Sequence, residues 1–239
     1  MSRVAIVAAL EREVRPLIKG WRVSQKEVSG RRFHFFEKDE FVLVCGGIGA
    51  EAARRAAEAA IAVYGPTLIY SAGFAGALDP ALKVGDLVQP KRVVNASDGS
   101  SVNFEQGEGV LVSFGSVASP AQKAKLKDSF QAQAVDMEAA AVARSAEARG
   151  AAFLVVKVIS DEFDFNFPAM ERFVDCNGQF LEGRFAWFTA VRPWLWASVA
   201  RLSRNSNRAS RALCDRLRTI MAAISPSSRV PTEEAVHRR

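Results

Sequence analysis

The chain is predicted to fold as a three-layer α/β/α domain around a mixed, mainly parallel, twisted central sheet, with a C-terminal helical extension. Three observations support this. From Arg3 to Ser160, short apolar and often β-branched runs alternate with helical periods, the order that yields a parallel or mixed sheet covered on both faces. Of the 239 residues, 49% are hydrophobic, enough to bury a substantial core. After residue 190 the pattern changes to a basic amphipathic stretch. Residues 1–190 are therefore expected to form the α/β domain, and 191–239 a basic amphipathic helix with a frayed tail.

The elements follow in chain order. Arg3–Ala9 (RVAIVAA) reads as a short buried strand and Glu11–Lys19 as a helix opening on acidic residues, which the positive end of a helix dipole favours. Asp39–Cys45 (DEFVLVC) is a strand, and Gly46, Gly47 and Gly49 turn it tightly into an alanine-rich helix. Pro66–Tyr70 is a strand running into SAGFAGAL, and Gly85–Val94 a strand with Pro90 at a bend or edge. Gly109–Phe114 is a strand, Ser119 caps a helix over Pro120–Asp128, and Ala134–Asp136 is a brief strand. A helix over Glu138–Arg149 then leads to the strand Ala152–Ser160, which stops at Asp161.

Composition excludes several functions. Cys45, Cys176 and Cys214 are odd in number and far apart, which gives neither a zinc site nor a disulfide framework. No apolar stretch approaches the roughly 20 residues a membrane span needs, and the start of the chain does not resemble a secretory leader. A cytoplasmic, reduced setting is expected, with an optional peripheral contact at the inner membrane surface. From Arg192 onward ten arginines face three acidic residues, a balance of +7, while the whole chain carries +6. A near-neutral body with a basic tail does not suit nucleic-acid binding; it suits an enzyme body with an electrostatic appendage.

Open α/β sheets bind ligands at the carboxyl ends of their strands. Those ends carry Leu10–Glu13, Gly46–Gly49, Ser71–Gly76 and Ser160–Asp161, with Met137 and Glu138 where the brief strand becomes a helix. Each acid has an ordinary structural role available: Asp161 as a turn cap, Glu13 and Glu138 as helix-start carboxylates. The Gly46–Gly49 turn is not a full dinucleotide fingerprint and supports only close backbone approach to something. What is distinctive is that Glu13, Glu138 and Asp161 reach one rim from three separate segments.

In the order AALEREV, GGIG, SAGFAGALDPALKVGDLV, VDMEAAAVA and VVKVISD, these segments resemble the purine nucleoside phosphorylase / nucleosidase superfamily, in particular its methylthioadenosine/S-adenosylhomocysteine nucleosidase branch. The likeness spans roughly Arg3 to Asp161. It implies cleavage of a purine N-glycosidic bond through a cationic sugar and an anionic leaving base. Asp161 would then protonate or hydrogen-bond purine N7, holding its proton at neutral pH because an apolar pocket penalises the charged form. Glu138 would accept the ribose hydroxyls, Met137 would pack on the sugar, and Glu13 would activate water. Phe74, Ala75, Gly76, Val117, Ala118 and Ser160 would complete the substrate-binding wall. No metal or organic cofactor is implied, and phosphate enters as co-substrate only if the reaction is phosphorolysis. A carboxylate at Glu13 favours water, since phosphate prefers arginines and backbone N–H groups. Arg12 and Arg15 are expected to face outward. A homo-oligomer is expected from the family alone.

The chain departs from the family pattern in four places. Phe74 replaces the serine of a Gly-Ser-Ala-Gly turn, and Val117 and Ala118 stand where a phenylalanine stacks on adenine. Lys157 replaces an arginine, and the interval between SAGFAG and VDME is short. On a helix from Pro193, Leu195, Val199, Leu202, Ala209, Leu213, Leu217 and Ile220 fall on one stripe. Arg201, Arg204, Arg208, Arg211 and Arg218 fall opposite, with Trp194 and Trp196 flanking. This helix (193–222) either packs on the body or docks on anionic lipid. The tail and shortened middle also resemble hopanoid-associated nucleoside phosphorylases, which implies a lipid-linked nucleoside such as adenosylhopane as the alternative substrate. A non-catalytic nucleoside-binding protein is the third reading.

Overall fold

β1 (Val4–Ala8) is buried at all five positions, as a strand covered on both faces must be. The computed structural model describes residues 3–165, 173, 175, 178, 180–190 and 192–225. In it β1 is followed by α1 (Glu11–Ile18), β2 (Arg22–Val28), β3 (Arg31–Lys38), β4 (Phe41–Cys45) and α2 (Ala50–Tyr64). Next come β5 (Leu68–Ala77), β6 (Leu87–Val88), β7 (Arg92–Asn95), β8 (Ser101–Asn103), β9 (Val110–Ser113), α3 (Pro120–Phe130) and β10 (Ala134–Asp136). The described chain closes with α4 (Ala139–Glu147), β11 (Ala152–Asp161), α5 (Glu182–Ala190), a 3-10 turn over Pro193–Leu195 and α6 (Trp196–Ile224).

β5 is the organising strand. Along one edge it pairs in parallel with β11 over nearly its whole length. Along the other it pairs first with β1, in parallel, and then at Gly76 and Ala77 with β10, antiparallel. The sheet therefore divides into an arm β1-β4-β3-β2 and an arm β10-β9-β7-β8. Side-chain alternation sorts the core into layers. Val4, Ile6 and Ala8 face α1 and α6, alongside Val14, Leu17, Leu213 and Leu217. Ala5 and Val7 face α2 and α4, alongside Ala53, Ala56, Ala57 and Val142. The alanines let α2 lie close to the sheet; a Cβ on Gly46 would sit 2.6 Å from the Ala52 carbonyl oxygen and 2.7 Å from Ala56 Cβ.

Several elements differ from the sequence expectation. β5 does not stop at Tyr70 but continues through the small residues Ser71–Ala77, because tertiary pairing overrides the low strand propensity of Gly and Ala. Gly85–Val94 is two strands, β6 and β7, interrupted around Pro90, which cannot donate to a ladder. β2 and β3 form an unforeseen hairpin. Their loop, Ser29-Gly30, has positive φ at both residues (50° and 74°), the backbone a two-residue hairpin turn requires. β2 is mostly exposed, so no apolar run announced it.

α6 packs on the body along its apolar stripe: Ala209, Leu213, Cys214 and Leu217 are buried beside β1 and α1. It also completes α1. Pro16 lies inside α1 and has no N–H to return to the Arg12 carbonyl. The Ser210 hydroxyl donates to that oxygen at 3.3 Å, Cys214 Sγ lies 3.7 Å from the Glu13 carbonyl, and Arg218 donates to the Pro16 carbonyl at 2.6 Å. Leu217→Ala is expected to cost about 2–5 kcal/mol in a urea titration, and Arg211→Ala, on the exposed face, within about 0.5 kcal/mol of nothing.

Candidate functional site

Ten sequence-predicted residues, Glu13, Phe74, Ala75, Gly76, Val117, Ala118, Met137, Glu138, Ser160 and Asp161, line one cavity of about 410 Å³. It opens where β5, β10 and β11 end, within the size range of small-molecule sites. Val117 is exposed and Ala118 buried, both on the loop between β9 and α3. Phe74 and Phe165 give the wall aromatic surface, and Leu202 and Ser206 of α6 add to it.

Glu13 is carried into the interior by the first turn of α1 and is only 5% exposed. Its Oε2 has no hydrogen-bond partner among the described residues. Burial, reinforced by the Glu138 charge and opposed by Lys157 and Arg12, pushes its pKa up to about 7. An unsatisfied buried carboxylate oxygen calls for an explanation, and here it borders the cavity.

Glu138 sits at the junction of β10 and α4. Its Oε1 accepts the Gly49 N–H at 3.0 Å and its Oε2 the Met137 N–H at 3.3 Å. The Gly46–Gly49 turn thus brings the Gly49 N–H to a protein carboxylate, while Gly47 and Gly49 have positive φ. Burial raises the Glu138 pKa and Asp136 adds to the rise, against Lys157 and the two N–H donors.

Lys157 is the site's hidden member, 1% exposed on β11. Its Nζ lies 2.7 Å from Asp136 Oδ2 and 3.6 Å from Glu138 Oε2. Burial would lower its pKa, but Asp136 and Glu138 overcome that and hold it raised. Asp136 is itself anchored by the Ser113 hydroxyl at 2.6 Å and the Ala139 N–H at 2.9 Å. The sequence noted Lys157 only as a substitution; its uninterrupted apolar neighbours, Val155, Val156, Val158 and Ile159, were the available signal that it is buried.

Asp161 reaches the cavity through a β-bulge. Ile159 pairs with Ala75 and Asp161 with Gly76, leaving Ser160 as the extra residue, and bulges of this kind re-aim side chains. Within this mainly apolar cavity the Asp161 carboxylate itself has polar partners. Lys123 Nζ of α3, 2% exposed, lies 2.5 Å from Asp161 Oδ2 and 2.7 Å from the Glu162 carbonyl, and the Ser160 hydroxyl donates to Oδ1 at 2.9 Å. Lys123 was missed because a lysine in QKAKLKD reads as helix surface. Arg12, expected to point away, is exposed but lines the cavity rim, with its guanidinium 4.7 Å from the Phe180 ring centroid. Arg15 is exposed.

Two glycines make room for the carboxylates. A Cβ on Gly73 would lie 3.0 Å from Glu13 Oε2, and one on Gly76 2.9 Å from Asp161 Oδ2. Chemically, the cavity offers an unpartnered carboxylate with a pKa about 7, a hydrogen-bonded carboxylate and a lysine–aspartate pair around one volume.

A sequence model described as the phosphorylase superfamily matches residues 3–121 and 108–180. A 5'-methylthioadenosine/S-adenosylhomocysteine nucleosidase from Staphylococcus aureus is 28% identical over 208 residues, covering 70% of this chain and 91% of that protein. The Helicobacter pylori enzyme of the same name, solved with a bound pyrrolopyrimidine ligand, superposes with a TM-score of 0.69 at 18% identity, covering 93% of this chain and 99% of that one. Futalosine hydrolase from the same organism gives 0.68 at 19% identity, with 93% and 98% covered.

Replacing Lys157 by Met leaves Asp136 and Glu138 buried without their cation, an expected loss of about 3–5 kcal/mol in a denaturant titration. Glu13 holds its extra proton in the folded state. Its stabilising contribution is therefore complete below the ordinary value of 4.5 and is lost as pH rises through about 7. Across that window the wild type should lose about 3 kcal/mol more stability than Glu13→Gln, measured by urea unfolding at each pH.

Proposed function

The chain belongs to the phosphorylase superfamily, and from that premise we propose that it hydrolyses the N-glycosidic bond of a purine nucleoside, releasing adenine from a 5'-substituted adenosine. The observation that carries this reading is Glu13: a buried carboxylate with an unpartnered oxygen, a pKa about 7 and a place on the cavity wall. A general base works best when its pKa lies near the operating pH. A water molecule hydrogen-bonded to Oε2 satisfies the orphaned atom and gives its proton to Glu13 as its oxygen attacks C1′.

The remaining groups fit the other demands of the step. Glu138, fixed by two N–H donors, has lone pairs left for ribose hydroxyls, and its charge favours the sugar cation. Met137 borders the same volume. The Lys123–Asp161 pair faces the leaving base. The ammonium proton shared in the Lys123–Asp161 hydrogen bond is the one placed for delivery, through Asp161, to purine N7. The bond electrons leave with the base, which departs neutral.

Water is preferred to phosphate because the described cations have other partners. Lys157 and Lys123 pair with carboxylates, and Arg12 stacks on Phe180 at the rim. A dianion entering near Glu13 would meet a like charge. The altered base wall, Phe74 and Val117, makes the 5' group and the base the open variables. A relative's name and a structural neighbour's name supply the first compounds to try, methylthioadenosine, S-adenosylhomocysteine and futalosine.

The test is a panel of these nucleosides, plus an adenosine with a long apolar 5' tail, with and without phosphate, following base release. Release without phosphate is expected; strict phosphate dependence would make the enzyme a phosphorylase, and binding without turnover on any substrate would make it a non-catalytic binder. Asp161→Asn and Glu13→Gln should each lower kcat by about 10²–10⁴-fold with the folded circular dichroism spectrum retained. Activity of the wild type should fall as pH drops below about 7, where Glu13 takes up its proton.

A further inference from the structure

Three of the four tryptophans lie within ten residues of one another and are exposed: Trp187 on α5 (71%), Trp194 in the 3-10 turn (73%) and Trp196 at the start of α6 (57%). Tryptophan carries the largest side-chain surface, and in a soluble protein most of it is normally covered. The segment is tied together: Trp196 Nε1 donates to the Thr189 carbonyl at 3.0 Å, and Arg192 donates to the Phe188 carbonyl at 2.9 Å while lying over the Phe188 ring. Leu195, between the last two tryptophans, is buried. The rings are thus held outward by a turn anchored beneath them.

Along this segment of the chain the charge has one sign. Between Glu182 and Asp215 the sequence has six arginines and no acidic residue. On α6, Arg201, Arg204, Arg208 and Arg211 are exposed along one side, at positions that helical geometry places within one stripe. The opposite side of the same helix is spent on the core, through Ala209, Leu213 and Leu217. Arg201 pairs with Glu162 at 3.0 Å; Arg204, Arg208 and Arg211 have no carboxylate partner within salt-bridge distance among the described residues. A second copy of the chain is a poor occupant, because a two-fold contact would oppose arginine to arginine. An anionic lipid surface complements both features, since tryptophan favours the headgroup region and basic residues are drawn to it.

We propose that Trp187, Trp194 and Trp196, with the arginine stripe of α6, form a peripheral docking face for anionic membrane. Attachment is by the turn and the first half of α6, edge-on. It is not by a helix lying flat in lipid, because the apolar stripe that such a helix would bury is already inside the protein. No helix among the described residues is long and apolar enough to cross a bilayer, so the contact is reversible. Leu202 and Ser206, which line the candidate cavity, lie on the side of α6 away from the arginines, so docking leaves the cavity wall undisturbed. The proposal stands apart from the nucleosidase reading, and either can fail alone.

The test uses the whole chain with sedimented vesicles of phosphatidylcholine alone or with about one-third phosphatidylglycerol. Binding to the anionic vesicles only is expected, with a blue shift of tryptophan emission and release as salt rises. Each arginine near such a surface is worth about fivefold in binding constant, so Arg204→Glu with Arg211→Glu should weaken binding by about 25-fold or more. Trp187→Ser with Trp194→Ser should weaken it by about tenfold or more. None of these residues lines the cavity, so base release from a soluble nucleoside, measured without vesicles, should stay within about twofold of wild type. That control separates loss of docking from loss of fold or of the catalytic reading. Equal binding to neutral vesicles, no binding at low salt, or unchanged binding in both double variants would overturn the proposal. So would a dimer in sedimentation velocity that the tryptophan variant dissociates while vesicle binding is absent.

Discussion

One ammonium group sets the terms for the site. Lys157 Nζ lies inside the protein with Asp136 and Glu138 at ion-pair distance and with Glu13 contributing to its raised pKa. The pair joins β11 to β10 across the strand that separates them, β5. The crossing is open because residue 73 is glycine: a Cβ there would sit 3.6 Å from Lys157 Nζ and 3.0 Å from Glu13 Oε2. One cation faces more than one buried carboxylate, and burial with the neighbouring negative charge raises the pKa of Glu138 and takes that of Glu13 up to about 7. Glu13 is the one with an unpartnered oxygen. Structure and proposed chemistry therefore share a cause: the excess of buried acid that makes Lys157 indispensable also keeps Glu13 poised between its two forms.

The C-terminal helix has three physical jobs along its length. Its second half fills the core beside β1 and donates to three α1 carbonyls, of which that of Arg12 lacks its helical donor because of Pro16. Since α1 carries Glu13, α6 holds the candidate base in place from behind. Its first half contributes Leu202 and Ser206 to the cavity wall, and its outer side carries the arginines. A segment that composition marks as an appendage is thus built into both core and site, while its charge remains available to a surface outside.

The periodicity of β1, β4, α2 and β11 was legible because burial on both faces leaves long β-branched or alanine-rich runs. The hairpin β2–β3 was not, because β2 lies at the edge with most side chains in solvent, where polar residues serve as well as apolar ones. The continuation of β5 through SAGFAGA was hidden for the opposite reason. Its small residues look like a turn, and at Gly73 and Gly76 a side chain would press on the Glu13 and Asp161 carboxylates. The candidate acids Glu13, Glu138 and Asp161 were legible as strand-end residues, since α/β topology gathers such ends on one side.

By itself the sequence determined the layer order, the strand ends that meet, and the excess of acid they bring together. It could not determine the partners of that acid. Lys157 and Lys123 read as a substitution in a strand and as helix surface; only the fold reveals that they are 1% and 2% exposed and paired with Asp136 and Asp161. The physical reason is that burial and pairing of a charge depend on what three distant segments place around it. Those segments lie 21 and 38 residues away along the chain for these two pairs, beyond the reach of any local pattern.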